Sequence, residues 1–267
     1  EIGRAGESQP FDVVVTRGVI DVPSVRSREL EDGYWLIRVS RFQRDSGREV
    51  TSAIESALEE GDVKGVVLDV RNNPGGVMNA SVEMASNFLD GGLVVYTKGR
   101  HPDSMNRYNA EPGELLPGVP VVVLVNGGSA SASEIIAGAL QDRGRAVIMG
   151  TQSFGKGSVQ TVLPVSETKA LKLTTSLYYT PNGRSIQAEG IVPDVVVERA
   201  QLTSLEQGNR LREADLNRSI ENAGSSMERE TEAIATLRED DNQVYEAFTL
   251  LKGINVYQSL GATPPSD

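Results

Sequence analysis

The chain has no cysteine and one histidine, His101. A thiol nucleophile, a thiolate metal site and a disulfide scaffold are therefore impossible. So is a zinc site built on two histidines, and any Ser-His-Asp triad would have to use His101. That residue sits in the polar stretch from Arg100 to Arg107 and reads as a loop histidine. Positive charge is scarce too: 26 Lys and Arg stand against 37 Asp and Glu, for a net −11. This balance argues against a nucleic-acid backbone or an anionic membrane surface as partner. The longest nearly apolar run, Val119 to Val125, is broken by Pro120 and far too short to span a bilayer. The chain opens on Glu1 with no methionine and no signal-like segment, which reads as a mature or trimmed fragment.

What is present is a strand–helix alternation. Phe11 to Ile20 is rich in β-branched residues and reads as one or two strands, and Tyr34 to Ser40 as another. A helix is expected from Gly47 to Glu60, with Val50, Ile54, Ala57 and Leu58 at helical spacing. Gly65 to Val70 is a continuous apolar run of strand length, as in a strand covered on both faces. Helix Ala80–Leu89, strand Leu93–Thr97, buried strand Pro120–Val125, helix Ala132–Gln141 and strand Ala146–Met149 follow. Such alternation implies right-handed crossovers and an α/β core with a parallel-rich sheet flanked by helices. After Gly150, Ser158–Val165 and Ala170–Tyr179 are β-rich with no helix between them. Beyond Ala200 the chain turns helical and acidic, with 12 acidic and 6 basic residues from Gln201 to Asp267. Val244, Phe248, Leu251 and Ile254 recur there at helical spacing. This stripe has two destinations, its own core or a second copy. The breaks at Gly208, Gly224 and the polar run Asn222–Ser226 favour the second copy.

Three segments place small residues just after a buried strand. Arg71-Asn-Asn-Pro-Gly-Gly76 is either a plain turn or a place where another molecule approaches backbone N–H groups closely. In Asn126-Gly-Gly-Ser-Ala-Ser-Ala-Ser-Glu134, Ser131 and Glu134 match a capping box. A serine at a strand-to-helix turn is also where a nucleophile sits, its oxygen exposed beside the positive helix end. Spacing alone does not choose among Ser129, Ser131 and Ser133. Gly150-Thr-Gln-Ser-Phe-Gly-Lys-Gly157 nearly matches a phosphate-binding loop. Gly157 replaces the magnesium-binding Ser/Thr, however, and a strand follows where a helix is required.

That leaves Lys156. Of six lysines it alone is flanked by small residues that permit burial, and a serine without a usable histidine needs such a base.

Together these segments, with Gly33–Phe42, Tyr179–Gln187 and Gly190–Asp194, resemble the C-terminal processing (tail-specific) serine proteases from about Phe11 to Val197. The resemblance implies Ser131 as nucleophile, Lys156 as general base and Gln160 as a third catalytic member. The oxyanion hole it implies is the N–H of Ala132 with that of Gly76, Gly75 being the alternative. Residues four apart in an extended strand lie about 13 Å apart, so Gln160 reaches Lys156 only if Gly155 and Gly157 bend the chain. The implied division is 1–20 as the end of a PDZ domain, 21–200 as a Ser-Lys protease core and 201–267 as a helical assembly segment. The implied chemistry uses no metal or cofactor. Implied partners are proteins with disordered C-terminal ends, an activating adaptor and further copies of the chain; the implied location is the periplasm. Two other readings share the fold: an inactive peptide-binding adaptor, and a hydrolase of other esters or amides.

Overall fold

The computed structural model describes residues 1–18, 22–101, 104–201 and 232–261. In chain order the elements are β1 (Val25–Glu31), β2 (Tyr34–Val39), α1 (Ser46–Glu60), β3 (Gly65–Asp69), α2 (Met78–Ser86), β4 (Gly92–Gly99), β5 (Asn106–Ala110) and β6 (Val121–Val125). Then come α3 (Ala132–Asp142), β7 (Val147–Gly150), β8 (Ser158–Pro164), β9 (Ala170–Tyr179), β10 (Val195–Val196), α4 (Glu232–Asp240) and α5 (Asn242–Gly261). Six strands form one sheet in the order β1-β2-β3-β6-β7-β10, parallel except for β1. The rest form an antiparallel sheet, β5-β4-β9-β8.

The apolar runs of β3 and β6 are explained by cover on both faces. Side chains alternate along a strand. Val66, Leu68, Val121 and Val123 pack with Val50, Ile54, Met84 and Ile135 of α1–α3. Their neighbours Val67, Val122 and Leu124 pack on the opposite face with Ile234, Leu237, Val244, Phe248 and Leu251 of α4 and α5. Val244, Phe248 and Leu251 of the C-terminal stripe are thus buried on their own chain's sheet, with Phe248 edge-on to Tyr34 at 5.2 Å between ring centres, and Ile254 is half-buried. This corrects the expectation that the stripe pairs with a second copy. The sheet's second face is already apolar, and covering it intramolecularly needs no association. The breaks expected at 208 and 222–226 lie outside the described residues.

The expected strand at Phe11–Ile20 is also corrected where it is described. Residues 12–18 form no strand, only Ile2 and Phe11 bridge each other, and Val14 and Val15 are 93% and 82% exposed. β-branched composition favours a strand but does not supply the hydrogen-bonding edge it needs, and no described strand flanks this segment. Conversely β1, β5 and β10, which the sequence pattern did not reveal, are edge strands shaped by their neighbours' hydrogen bonds.

A buried ion-pair network locks α5 onto the sheet. The Arg71 guanidinium donates to Asp69 (2.9 and 2.8 Å), to Asp241 (2.9 and 2.7 Å) and to the Gln243 side chain (2.8 Å). Burial pushes the Asp241 carboxyl up, but the hydrogen bond and charge of Arg71 more than offset this, and it titrates below the usual carboxylate range. A depressed folded-state value means the contribution is complete above the unfolded carboxyl value and lost as pH falls through the folded one. Docking of α5 is therefore expected to weaken as pH drops below about 3.9. Asp241→Asn should weaken it already at neutral pH and flatten its acid dependence. Hydrogen exchange of the α5 amides measures both; an acid profile unchanged in Asp241→Asn would show that this pair does not control docking.

Candidate active site

The three small-residue loops follow β3, β6 and β7, which are neighbours in the parallel sheet, so they meet at one carboxyl edge. That edge is where open α/β sheets form their crevices. Side-chain hydrogen bonds zip the loops together. Asn72 N–H and Gly128 N–H both donate to Asn126 Oδ1 at 2.9 Å. The buried Asn73 amide donates to Val39 O and accepts from Gly75 N–H, both at 2.9 Å.

This geometry separates the three serines. Ser129 is fully buried and donates to Val70 O at 2.7 Å; Ser133 is fully buried and donates to Asn73 O at 2.9 Å. Both hydroxyls are spent on holding the loops. Ser131 alone remains half-buried, at the N-terminal cap of α3 with φ 57° and ψ −110°. A non-glycine residue adopts such angles only when its surroundings impose them. It is the strained strand-to-helix turn on which an exposed nucleophile is presented.

Glu134 imposes it. Its carboxylate is fully buried and accepts four hydrogen bonds, from Ser131 N–H (2.7 Å), Ser153 Oγ–H (2.6 Å), Gly155 N–H (2.6 Å) and Lys156 N–H (2.9 Å). The capping-box spacing anticipated the first of these. Nothing in the sequence shows the other three, because they arrive from a loop about twenty residues away. Ser131 and Lys156 thus donate their backbone N–H groups to the same oxygen.

The side chains are less closely joined. Lys156 is exposed, and no hydrogen bond links it to Ser131. The expected burial of Lys156 is corrected, for a reason the glycines supply. A Cβ on Gly155 would lie 3.0 Å from Ala188 C, and one on Gly157 only 2.3 Å from Gln187 N. These glycines admit the backbone of residues 187 and 188; they do not enclose the lysine. Gln160 is exposed on β8 opposite Thr174 and makes no hydrogen bond to Lys156. Gly155, φ 89°, turns the chain before Lys156, and the two side chains are not brought together.

Across the crevice, a Cβ on Gly75 would stand 2.9 Å from both Ala132 N and Ser131 Cβ. The turn therefore abuts Ser131 through glycine's missing side chain. Gly75 N–H is occupied by Asn73, whereas Gly75 O accepts from Phe42 N–H at 3.0 Å. In a trans peptide the N–H of Gly76 then points the opposite way, away from Phe42. Ala132, the first residue of α3, has an N–H with no intrahelical acceptor. The Ala132 N–H thus follows Ser131 directly, and the Gly76 N–H belongs to the turn that abuts it.

Replacing Glu134 by Gln would turn one acceptor oxygen into an NH2 group facing N–H donors. Charge-assisted hydrogen bonds contribute about 1.5–3 kcal/mol each. Glu134→Gln should therefore lower unfolding free energy in urea by roughly that much or more, and reduce labelling of Ser131 by a serine-directed phosphonate. Wild-type stability and labelling would show that the carboxylate does not set the site.

Residues 33–197 match the profile of peptidase family S41. The chain is 44% identical over 260 residues to a carboxy-terminal-processing protease of Bartonella bacilliformis, covering 94% of this chain and 59% of that one. It is 39% identical over 213 residues to a carboxyl-terminal-processing protease of a Synechocystis strain, covering 77% of this chain and 48% of the other. The chain thus spans about half to three-fifths of these relatives' length. Among solved structures it resembles a photosystem II D1 C-terminal processing protease, with a TM-score of 0.60, 32% identity, and 67% and 49% of the two chains covered.

Proposed function

The chain belongs to peptidase family S41, and on that premise we propose that it is the catalytic part of a serine endopeptidase with a Ser-Lys dyad that cleaves proteins from disordered C-terminal ends. The observation that carries this reading is the strained, half-exposed Ser131 at the head of α3, sharing the Glu134 carboxylate with the backbone of Lys156. Ser131 Oγ attacks the scissile carbonyl carbon while its proton passes to the neutral Lys156 amine. The N–H groups of Ala132 and Gly76 hold the resulting oxyanion, aided by the positive end of α3. Collapse breaks the C–N bond, the leaving amine takes the proton from Lys156, and water then hydrolyses the acyl-enzyme by the reverse sequence.

Lys156 is exposed in the free chain, so substrate completes the site. A polypeptide lying over the lysine excludes water, and desolvation favours the neutral form of an amine. Gln160 then has a role in orienting that amine. On this reading the exposed Val13–Val15 segment is the end of a PDZ domain. The resemblance also supports a periplasmic protein with an activating adaptor. A homo-oligomer built through the C-terminal segment would use not the buried stripe but the exposed Val256, Tyr257 and Leu260 at the end of α5.

Ser131→Ala and Lys156→Ala are each expected to reduce cleavage of an unstructured polypeptide by on the order of 10³-fold or more, since members of one catalytic unit each cost nearly the whole acceleration. Gel analysis of the digest reads the effect, and circular dichroism confirms the fold. Turnover by either variant at the wild-type rate would exclude the dyad. Peptide binding without Ser131-dependent hydrolysis would make the chain an adaptor.

A further inference from the structure

β8 is the last strand of the antiparallel sheet, and no described strand pairs with its outer edge. Its backbone orientation follows from hydrogen bonds at its two ends. Tyr178 N–H donates to Gly157 O at 2.7 Å, and Val165 N–H donates to Lys169 O at 2.9 Å. Odd-numbered residues of β8 therefore face β9, and Ser158, Gln160 and Val162 turn their N–H and C=O groups outward. The irregularity in the ladder, where Val159 pairs Ser176 and Gln160 pairs Thr174, puts its extra residue in β9 and leaves β8 in phase.

This open edge is closed at both ends. Pro164, the next outward position, has no N–H and blocks further pairing. At the other end the N–H of Lys156 is taken by Glu134 Oε2, the oxygen that also holds Ser131 N–H. What is left is a short unpaired edge running directly into the nucleophile. Beside it one face of the hairpin carries Leu163, Leu171 and Leu173, all more than two-fifths exposed. Leu163 lies opposite Leu171, and Leu173 opposite Thr161, so they form one row.

The geometry points to β8 as the docking edge for the substrate. An extended polypeptide adds to it as a further strand, hydrogen-bonded to Ser158, Gln160 and Val162, and is delivered to Ser131 where the edge ends. The occupant is a substrate chain and not a second copy, because a strand seated permanently here would cover Ser131. Main-chain bonding accounts for affinity with little sequence demand. Alternate substrate side chains extend the leucine row, so the edge selects apolar residues at every second position. This inference rests on the peptidase reading, which names the edge's occupant.

The test measures binding to the Ser131→Ala chain by fluorescence anisotropy. The probe is a fluorescein-labelled peptide of alternating leucine and serine, with copies in which one amide at a time becomes an ester. Val162→Pro removes an outward N–H without touching the β9 ladder and should weaken binding by about 3- to 10-fold, the effect of one hydrogen bond. Val162→Thr, which keeps the N–H, should bind as Val162 does. Esters at every second position should weaken binding, and those between should not. Equal affinity for Val162→Pro with its hairpin intact, or an ester series without alternation, would overturn the docking edge. Should Val162→Pro misfold, the ester series alone decides. Peptide that binds with this pattern but is not cut by the unmodified chain would refute the peptidase reading and leave the edge standing.

Discussion

One buried carboxylate holds this site together. Glu134 lies in the interior and accepts hydrogen bonds from one loop and a helix cap. A carboxylate removed from water is tolerated only when its lone pairs are filled, and here two oxygens take four donors. The arrangement sets the backbone of Ser131 and fixes where the Lys156 loop begins. The strain at Ser131 persists because the donors that relieve Glu134 also enforce it.

The parallel sheet makes such convergence possible. β3, β6 and β7 are adjacent, so their following loops emerge side by side although they are far apart in sequence. Both faces of the sheet must be covered, and the C-terminal helices cover the second. Their docking through Arg71, Asp241 and Gln243 reaches the strand end from which the Asn73–Gly76 turn departs. Arg71 and the turn are contiguous in the chain, so the packing of α5 and the placing of the free amides beside Ser131 share one stretch of backbone.

Glycines act here by absence of volume. Gly75 lets the turn touch Ser131, and Gly157 lets residue 187 reach the Lys156 loop. Neither encloses the lysine, which stays exposed to water. The exposed lysine and the open edge of β8 both follow from how the loop after β7 leads into an edge strand.

Local periodicity was enough to place β2, β3, β4, β6 through β9 and the helices α1, α2 and α3 within a few residues, because alternation and helical spacing are properties of neighbouring residues. The motifs around Arg71–Gly76, Ser131 and Lys156 were legible as well, and their joint order carried the family resemblance. Three questions lay beyond them. Which serine is free depended on Val70 O and Asn73 O, some sixty residues upstream, which consume Ser129 and Ser133. Where the stripe of Val244, Phe248 and Leu251 goes depended on an apolar sheet face made from five separate strands. Whether Lys156 is enclosed depended on residues 187 and 188 filling the space its glycines leave. The elements and the residue types at their ends are legible in the order of residues, since each follows from short-range geometry. Which of those residues are spent on packing and which remain free to react is settled by the fold, because hydrogen-bond partners and cover come from segments that chain order does not bring together.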